Sequence, residues 1–215
     1  MLKDVFVADA CRTAVGKFGG SLKSVNADEL ARVVMEASIK RSNVAVEDID
    51  SVVFGHCRQN SDMSNTARYA ALRAGIPSSV PANTVMCACA SGMLAVNNGF
   101  NSIRCGSENI VLAGGTESMT NAIFYISNAR WGLGTGDSPI KDSLTEAQFC
   151  SQPQDIYGRF NMGLTAENIA EKYGITREEQ DQFSFVSQSR AAAAIKAGRF
   201  VDEIVPVSVI KSKKR

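Results

Sequence analysis

Histidine is almost missing from this 215-residue chain: His56 is the only one. The six cysteines include no C-x-x-C pair. Zinc is held by about four ligands, usually Cys and His at paired spacings, so no metal site is expected. The same lack argues against thioredoxin-like redox chemistry. No apolar run approaches the roughly 20 residues of a membrane span, and Met1 leads straight into VFVA with no apolar leader before it. Charge excess is lacking too. Lys plus Arg number 23 against 22 for Asp plus Glu, so neither nucleic acid nor a membrane surface is expected as a partner. The one basic cluster, KSKKR at residues 211–215, reads as a short exposed tail. Internal repeats and low-complexity segments are absent. Cytoplasm is the expected location, with an organelle matrix after presequence removal as the alternative.

What is present is a core-forming composition. Apolar residues make up 45% of the chain, enough for a packed interior. Residues 4–10, DVFVADA, read as a strand, followed by a glycine-rich loop through residue 20. Leu30, Val33, Val34, Ala37 and Ile39 fall at helical spacing, with Asn26 as the cap. SVVFG, 51–55, is the short apolar run of a strand buried on both faces. NTARYAALRAGIP, 65–77, reads as a helix closed by Gly75 and Pro77. ANTVMCA is the next strand, SGMLAVNNGFNSIRCG the next helix and NIVLAGGTE the strand after it. Strand and helix alternate, so the fold class is α/β with a mostly parallel sheet.

The rhythm breaks between 118 and 160, where no clean period holds; so long an aperiodic stretch points to a functional segment or an oligomer contact. Helices return at 164–173, capped from Thr165, and at 176–197, where Thr176 and Glu179 have capping-box spacing. FVDEIVPVSVI, 200–210, reads as a closing strand. The helix after residue 91 carries Met93, Leu94, Ala95, Val96, Phe100 and Ile103 around most of its circumference. A helix apolar on most faces is buried on most faces, so a further layer is expected over it.

The cysteines carry the chemistry question. In a mid-sized chain of this kind reduced thiols are expected, and Cys11, Cys57, Cys105 and Cys150 read as buried packing residues. Cys87 and Cys89, two apart on a strand-like run, are expected to face one side, with Cys87 packed against a neighbour. Cys89 sits where strand gives way to helix. The partial positive charge and open N–H groups of a helix start favour a thiolate and can hold an oxyanion on an acyl group bound to it. Ala90, Ser91 and Gly92 leave room for that group. From the residues alone, packing and nucleophile both stay open for Cys89. A dinucleotide-binding reading is poor, since VGKFGG does not form G-x-G-x-x-G.

Five stretches together resemble the thiolase family, of the acetyl-CoA acetyltransferase type: RTAVGKFGG (12–20), NTARYAALRAGIP (65–77), CASGM (89–93), AGGTESMTNA (113–122) and the long run from Asn161 to Val207. Their order and spacing carry the resemblance. It implies a thiolase-like fold: an N-terminal βαβαβαββ half with a mixed sheet over residues 1–117, a partial helical loop domain over 118–215, and no C-terminal domain. It implies condensation of two acetyl-CoA to acetoacetyl-CoA and CoA, or the reverse, in fatty acid metabolism, with Cys89 as acyl-accepting nucleophile. The CoA thioester is then substrate, and no separate cofactor is expected. Leu144, Asn161 and Met162 match the coenzyme A pocket, Asn161 standing where many members have His.

The resemblance also marks departures. Met86 replaces a polar residue that would tie the cysteine loop together, and Ala14 replaces Pro. The family's activating His, its second Cys and an oxyanion-site Asn lie in a second half that is not in these residues. His56 reads as a packed or surface residue. The expectation is an incomplete thiolase (a fragment, an early-terminated product or one of two chains) whose partners are a complementing half or further copies in a homo-oligomer. The alternative is a non-catalytic fragment that binds coenzyme A or a partner chain.

Overall fold

The computed structural model describes residues 2–59 and 62–209; the whole KSKKR tail reading, and Ile210 before it, lie outside them. In chain order the elements are β1 (Arg12–Thr13), α1 (Ala27–Ser42), β2 (Ser51–Gly55), α2 (Thr66–Arg73), β3 (Ala82–Val85), α3 (Ser91–Cys105), β4 (Val111–Gly115), β5 (Phe124–Tyr125), β6 (Lys141–Asp142), α4 (Ser143–Phe149), α5 (Gln154–Tyr157), α6 (Met162–Tyr173), α7 (Arg177–Lys196) and β7 (Ile204–Val205), with single turns of 3₁₀ helix between some of them. They fall into two compact units. One runs to Asn121 and resumes at Asp202; the other is Ala122–Val201.

The first unit is an α/β layer structure. Its sheet has the order β3-β2-β4, and both pairings are parallel. Parallel neighbours need crossovers, which α2 and α3 supply. β2 is central and every one of its residues is buried, the outcome expected of a continuous apolar run between two covered faces. Its side chains alternate between the faces. Val52 and Phe54 join Ala31 and Met35 of α1 and Ala67, Ala70 and Ala71 of α2 in the main core. On the other face lies α3, where Gly99 sits so close to β4 that a Cβ there would stand 3.0 Å from Val111.

Several sequence expectations are corrected here. The mixed sheet expected for this half is not formed among the described residues: both of the unit's sheets are parallel, including the two-residue β1–β7 pairing. Residues 4–10 are not a strand. Phe6 and Val7 are 86% and 84% exposed, and the segment has no ladder, only Lys3 N–H donating to the Arg104 carbonyl nearby. Alternation predicts which faces a strand would show, but a strand exists only where a partner backbone satisfies it. For the same reason the closing strand shrinks to Ile204–Val205, the residues that meet β1. Asn26 stands at the start of α1 but makes no side-chain cap bond. Asp28 and Glu29 in the first turn supply the negative charge that the helix dipole favours, and both pair with Arg73.

α2 ends as its sequence predicts. Gly75 takes φ +82°, and the Ile76 N–H reaches back to the Ala71 carbonyl at 3.0 Å, the closure that a left-handed glycine permits. α3 turns Ser91, Ala95 and Gly99 toward the sheet. Met93, Val96 and Phe100, at spacings of three and four, remain 74%, 50% and 41% exposed. The apolar circumference read from the sequence is real, and one side of it has no cover among the described residues.

The second unit is built from α4 to α7 and the antiparallel β5–β6 pair. No residue of it is fully buried. The aperiodic stretch is held locally: Asp142 Oδ1 accepts the Leu144 N–H at 3.0 Å, and its Oδ2 accepts the Thr145 hydroxyl at 2.7 Å. α6 starts earlier than expected, because Asn161 rather than Thr165 caps it, its Oδ1 accepting the Leu164 N–H. α7 carries the capping box predicted at Thr176 and Glu179, with both bonds present. Thr176→Ala removes one of them and should lower stability by about 1 kcal/mol. Hydrogen exchange would show the loss concentrated at the first turn of α7.

Candidate active site

β3 stops at Val85 and α3 starts at Ser91, so the five residues 86–90 form a tight turn rather than a continued strand. Its centre, Ala88, has φ +45° without being glycine. Such a backbone costs roughly 1–2 kcal/mol in an L-residue and persists only where neighbours over-determine it. Here they do. The Ala90 N–H donates to the Cys87 carbonyl at 3.0 Å, and the Ser91 N–H to the Ala88 carbonyl at 3.1 Å. The Ser91 hydroxyl accepts the Cys87 N–H at 2.8 Å and donates to the Ala88 carbonyl at 2.7 Å. The Cys57 thiol donates to that same carbonyl at 2.7 Å. Met86, expected to leave the loop untied, accepts the Ala88 N–H on its sulfur at 3.5 Å, a weak tie because a thioether is a weak acceptor.

The turn sits directly on the sheet. A Cβ added at Gly55 would lie 2.4 Å from the Ser91 carbonyl carbon and 2.6 Å from the Gly92 nitrogen. The missing side chain at the end of β2 is what lets α3 begin there.

Cys89 is exposed on this turn, and so is Cys87. The expectation that Cys87 packs against a neighbour fails, because the strand that would have aimed both thiols to one side ends before them. Cys105, the last residue of α3, and Cys150, just past α4, are also exposed rather than packed. Cys11 and Cys57 are half-buried. Burial, with Asp9 nearby, pushes the Cys11 thiol up against a weaker opposing pull from Arg41. α3 opens without a side-chain cap, since Ala90 has no oxygen to offer. Its first N–H groups are therefore not claimed by a capping side chain.

Beneath the turn, His56 is buried at 4% exposure. Its Nδ1 lies 2.8 Å from the Thr66 hydroxyl and its Nε2 lies 3.2 Å from Glu117 Oε1. That second contact is close in distance but not aligned as a hydrogen bond, for Oε1 is buried without a hydrogen-bond partner. Glu117 Oε2 accepts the Cys57 N–H at 3.0 Å. Burial works against the Glu117 charge, but the His56 side chain and the Cys57 and Arg58 N–H groups outweigh it and hold the carboxyl below its ordinary range. A group lowered on folding stabilises the fold above its unfolded pKa, about 4.3 for Glu, and loses that contribution as pH falls through the lower folded value. The urea midpoint should therefore fall on acidification below about pH 4.3, and Glu117→Gln should flatten that limb.

Leu144, Asn161 and Met162 all belong to the second unit, whereas Cys89 belongs to the first. Leu144 is half-buried in the first turn of α4, and Met162 is 74% exposed at the start of α6. The Asn161 carbonyl oxygen is committed to its cap, which leaves the amide N–H groups free to donate. Among the described residues, no three His, Cys, Asp or Glu side chains gather into a metal-sized group. Ser91, Gly55 and Glu117 are the residues that sequence reasoning did not assign. All three lie in or beside quoted motifs, but their partners are 4 to 60 residues away, and no local pattern names them.

The thiolase N-terminal domain family matches residues 5–215. The chain is 47% identical to an acetyl-CoA acetyltransferase of Syntrophomonas wolfei, covering 100% of this chain and 53% of that protein. It is 43% identical to one from Cupriavidus necator, covering 99% and 53%. The crystal structure of the Bacillus anthracis acetyl-CoA acetyltransferase superposes with a TM-score of 0.93 at 38% identity, over 99% of this chain and 53% of that one. The chain thus spans about half the length of the curated relatives it matches. By its sequence and by its α/β fold, the chain belongs to the thiolase family, whose N-terminal domain it matches over nearly its whole length.

Proposed function

We propose that this chain is the nucleophile-bearing half of a thiolase-type acetyl-CoA C-acetyltransferase. The observation that carries the reading is the placement of Cys89: exposed, on a strained and fully braced turn, at the uncapped start of α3. The Cys89 sulfur attacks the thioester carbonyl of acetyl-CoA. The oxyanion that forms faces the open N–H groups of the first α3 turn. Collapse breaks the bond to the coenzyme A sulfur, which leaves as a thiol after taking up the Cys89 proton, and the acetyl group stays on Cys89. A second acetyl-CoA, deprotonated at its α-carbon, then attacks the acyl-cysteine to give acetoacetyl-CoA; thiolysis runs these steps backward.

The α-proton requires a base, which the family resemblance places in a second half. A complementing half or a further copy of the chain also gives cover to the exposed face of α3. Leu144, Met162 and the free amide of Asn161 serve the pantetheine and acyl end of the thioester. The protein works in the cytoplasm, in fatty acid metabolism, as a homo-oligomer. One observation favours the non-catalytic reading instead: the single His is held by Thr66 and close to Glu117 beneath the turn. Intact mass after brief exposure to acetyl-CoA, followed by peptide mapping, separates the two. One acetyl group on Cys89 supports the catalytic reading. No adduct, with Cys89 no more reactive than Cys87, supports binding without chemistry.

A further inference from the structure

We propose that Ser91, braced by Cys57, is a positioning residue for Cys89: its hydroxyl closes the turn that presents the thiol and never meets the substrate. This rests on the catalytic reading of Cys89 and adds to it a dependence that the reading itself does not contain.

Ser91 is 3% exposed, so no acyl group reaches its hydroxyl. A serine hydroxyl has one donor and two acceptor positions, and here the donor and one acceptor are engaged. The donor goes to the Ala88 carbonyl at 2.7 Å. One lone pair takes the Cys87 N–H at 2.8 Å. The remaining side lies 3.3 Å from the Cys57 sulfur, whose one hydrogen goes to the Ala88 carbonyl. The two backbone groups it joins are those on either side of the left-handed Ala88, and Cys89 is the next residue.

The hydroxyl has no other task. It does not cap α3, because the N-cap is Ala90 and no side-chain cap bond is made. It does not hold the helix on the sheet, because the Ser91 backbone does that by its close approach to Gly55. Its bonds run backward into the turn. Cys57 reaches the same carbonyl from the end of β2, so the Ala88 peptide is gripped from the helix side and from the sheet side. Removing either grip frees a peptide held in a strained conformation, and the thiol of the next residue loses its fixed direction relative to the first turn of α3.

The test measures alkylation of each thiol by iodoacetamide, by peptide mass mapping, across pH 6 to 10. Cys105 and Cys150, both exposed and distant in sequence, serve as internal references. In the unsubstituted protein Cys89 is expected to react faster than both. Ser91→Ala is expected to slow Cys89 about tenfold and to shift the midpoint of its rate–pH curve, while the reference thiols keep their rates. Cys57→Ala is expected to slow it about threefold, and Cys57→Ser, which keeps a donor, to restore it. A loss of packing alone would change all the thiols together and would leave the Ala and Ser variants at position 57 alike. If Ser91→Ala does not fold, the pair at position 57 decides: equal Cys89 rates in the two overturn the proposal. So does a folded Ser91→Ala whose Cys89 rate and midpoint match the unsubstituted protein while Cys89 still takes an acetyl group from acetyl-CoA. A Cys89 that is neither acetylated nor faster than Cys105 in the unsubstituted protein overturns the catalytic reading, and this proposal with it.

Discussion

Cys89→Ala is expected to abolish acyl transfer while leaving the fold intact. Cys89 is exposed, and none of the hydrogen bonds that brace residues 86–90 uses its side chain. Truncation therefore removes a sulfur from solvent, not from the core, and surface changes of this kind fall within about 0.5 kcal/mol. The chemical effect is of another order. Covalent catalysis splits one hard step into two easier ones, and no neighbour can take the acyl group over. The Cys87 thiol is exposed two residues away, but its N–H is tied to Ser91 and it lies further from the start of α3. Loss of a nucleophile in other enzymes costs factors of about 10⁶, so turnover in a complemented enzyme should drop below about one-thousandth. Acetyl-CoA should leave no mass adduct. An adduct that moves to Cys87 in the variant would show that the turn, not the residue, selects the thiol.

Much of the first unit was legible because its elements are repetitive. The SVVFG run, apolar apart from Ser51, reads as a doubly covered strand, and β2 is buried at every position. In the second unit, the Thr176–Glu179 spacing named its own cap in the same way. What could not be read depended on partners distant in sequence. DVFVADA has the composition of a strand and no ladder to join. The strand after Ala82 looked as if it continued through the cysteines, yet the chain turns at Ala88, and nothing about an alanine announces φ +45°. Once the strand stops at Val85, the period-two reasoning about Cys87 and Cys89 no longer applies. That is why the packing assigned to Cys87 was wrong.

The candidate site divides the same way. Cys89 could be singled out by its place between strand and helix, and the family resemblance gave it a role. The groups that hold it could not be found so. Ser91 looked like a small residue leaving room, and its use turns out to be its hydroxyl. Cys57 read as packing, and its thiol instead reaches across 31 residues to the Ala88 carbonyl. Thr66 and Glu117 converge on His56 from α2 and from just beyond β4, a meeting that only the sheet order creates.

Gly55→Ala should be the most damaging single methyl that can be added to this turn. The new Cβ would meet the carbonyl carbon and oxygen of Ser91 at 2.4 and 2.6 Å and the nitrogen of Gly92 at 2.6 Å. All three are backbone atoms, so no rotamer change relieves the clash; either α3 retreats from the sheet or the end of β2 bends. β2 has little freedom to bend, since Gly55 is registered with Val85 on one side and Gly115 on the other. Overpacking of this kind costs about 3 kcal/mol, which for a chain of this size is a fall in Tm of roughly 10 °C. Gly92→Ala is the matched control. Its Cβ would meet nothing within 4 Å, and alanine suits a helix better than glycine, so its Tm should hold or rise. If the two variants melt alike, the close approach of β2 and α3 is not what sets the turn. If only Gly55→Ala falls, and Cys89 alkylation slows with it at temperatures where the protein is still folded, the bare end of β2 is the seat on which the thiol is placed.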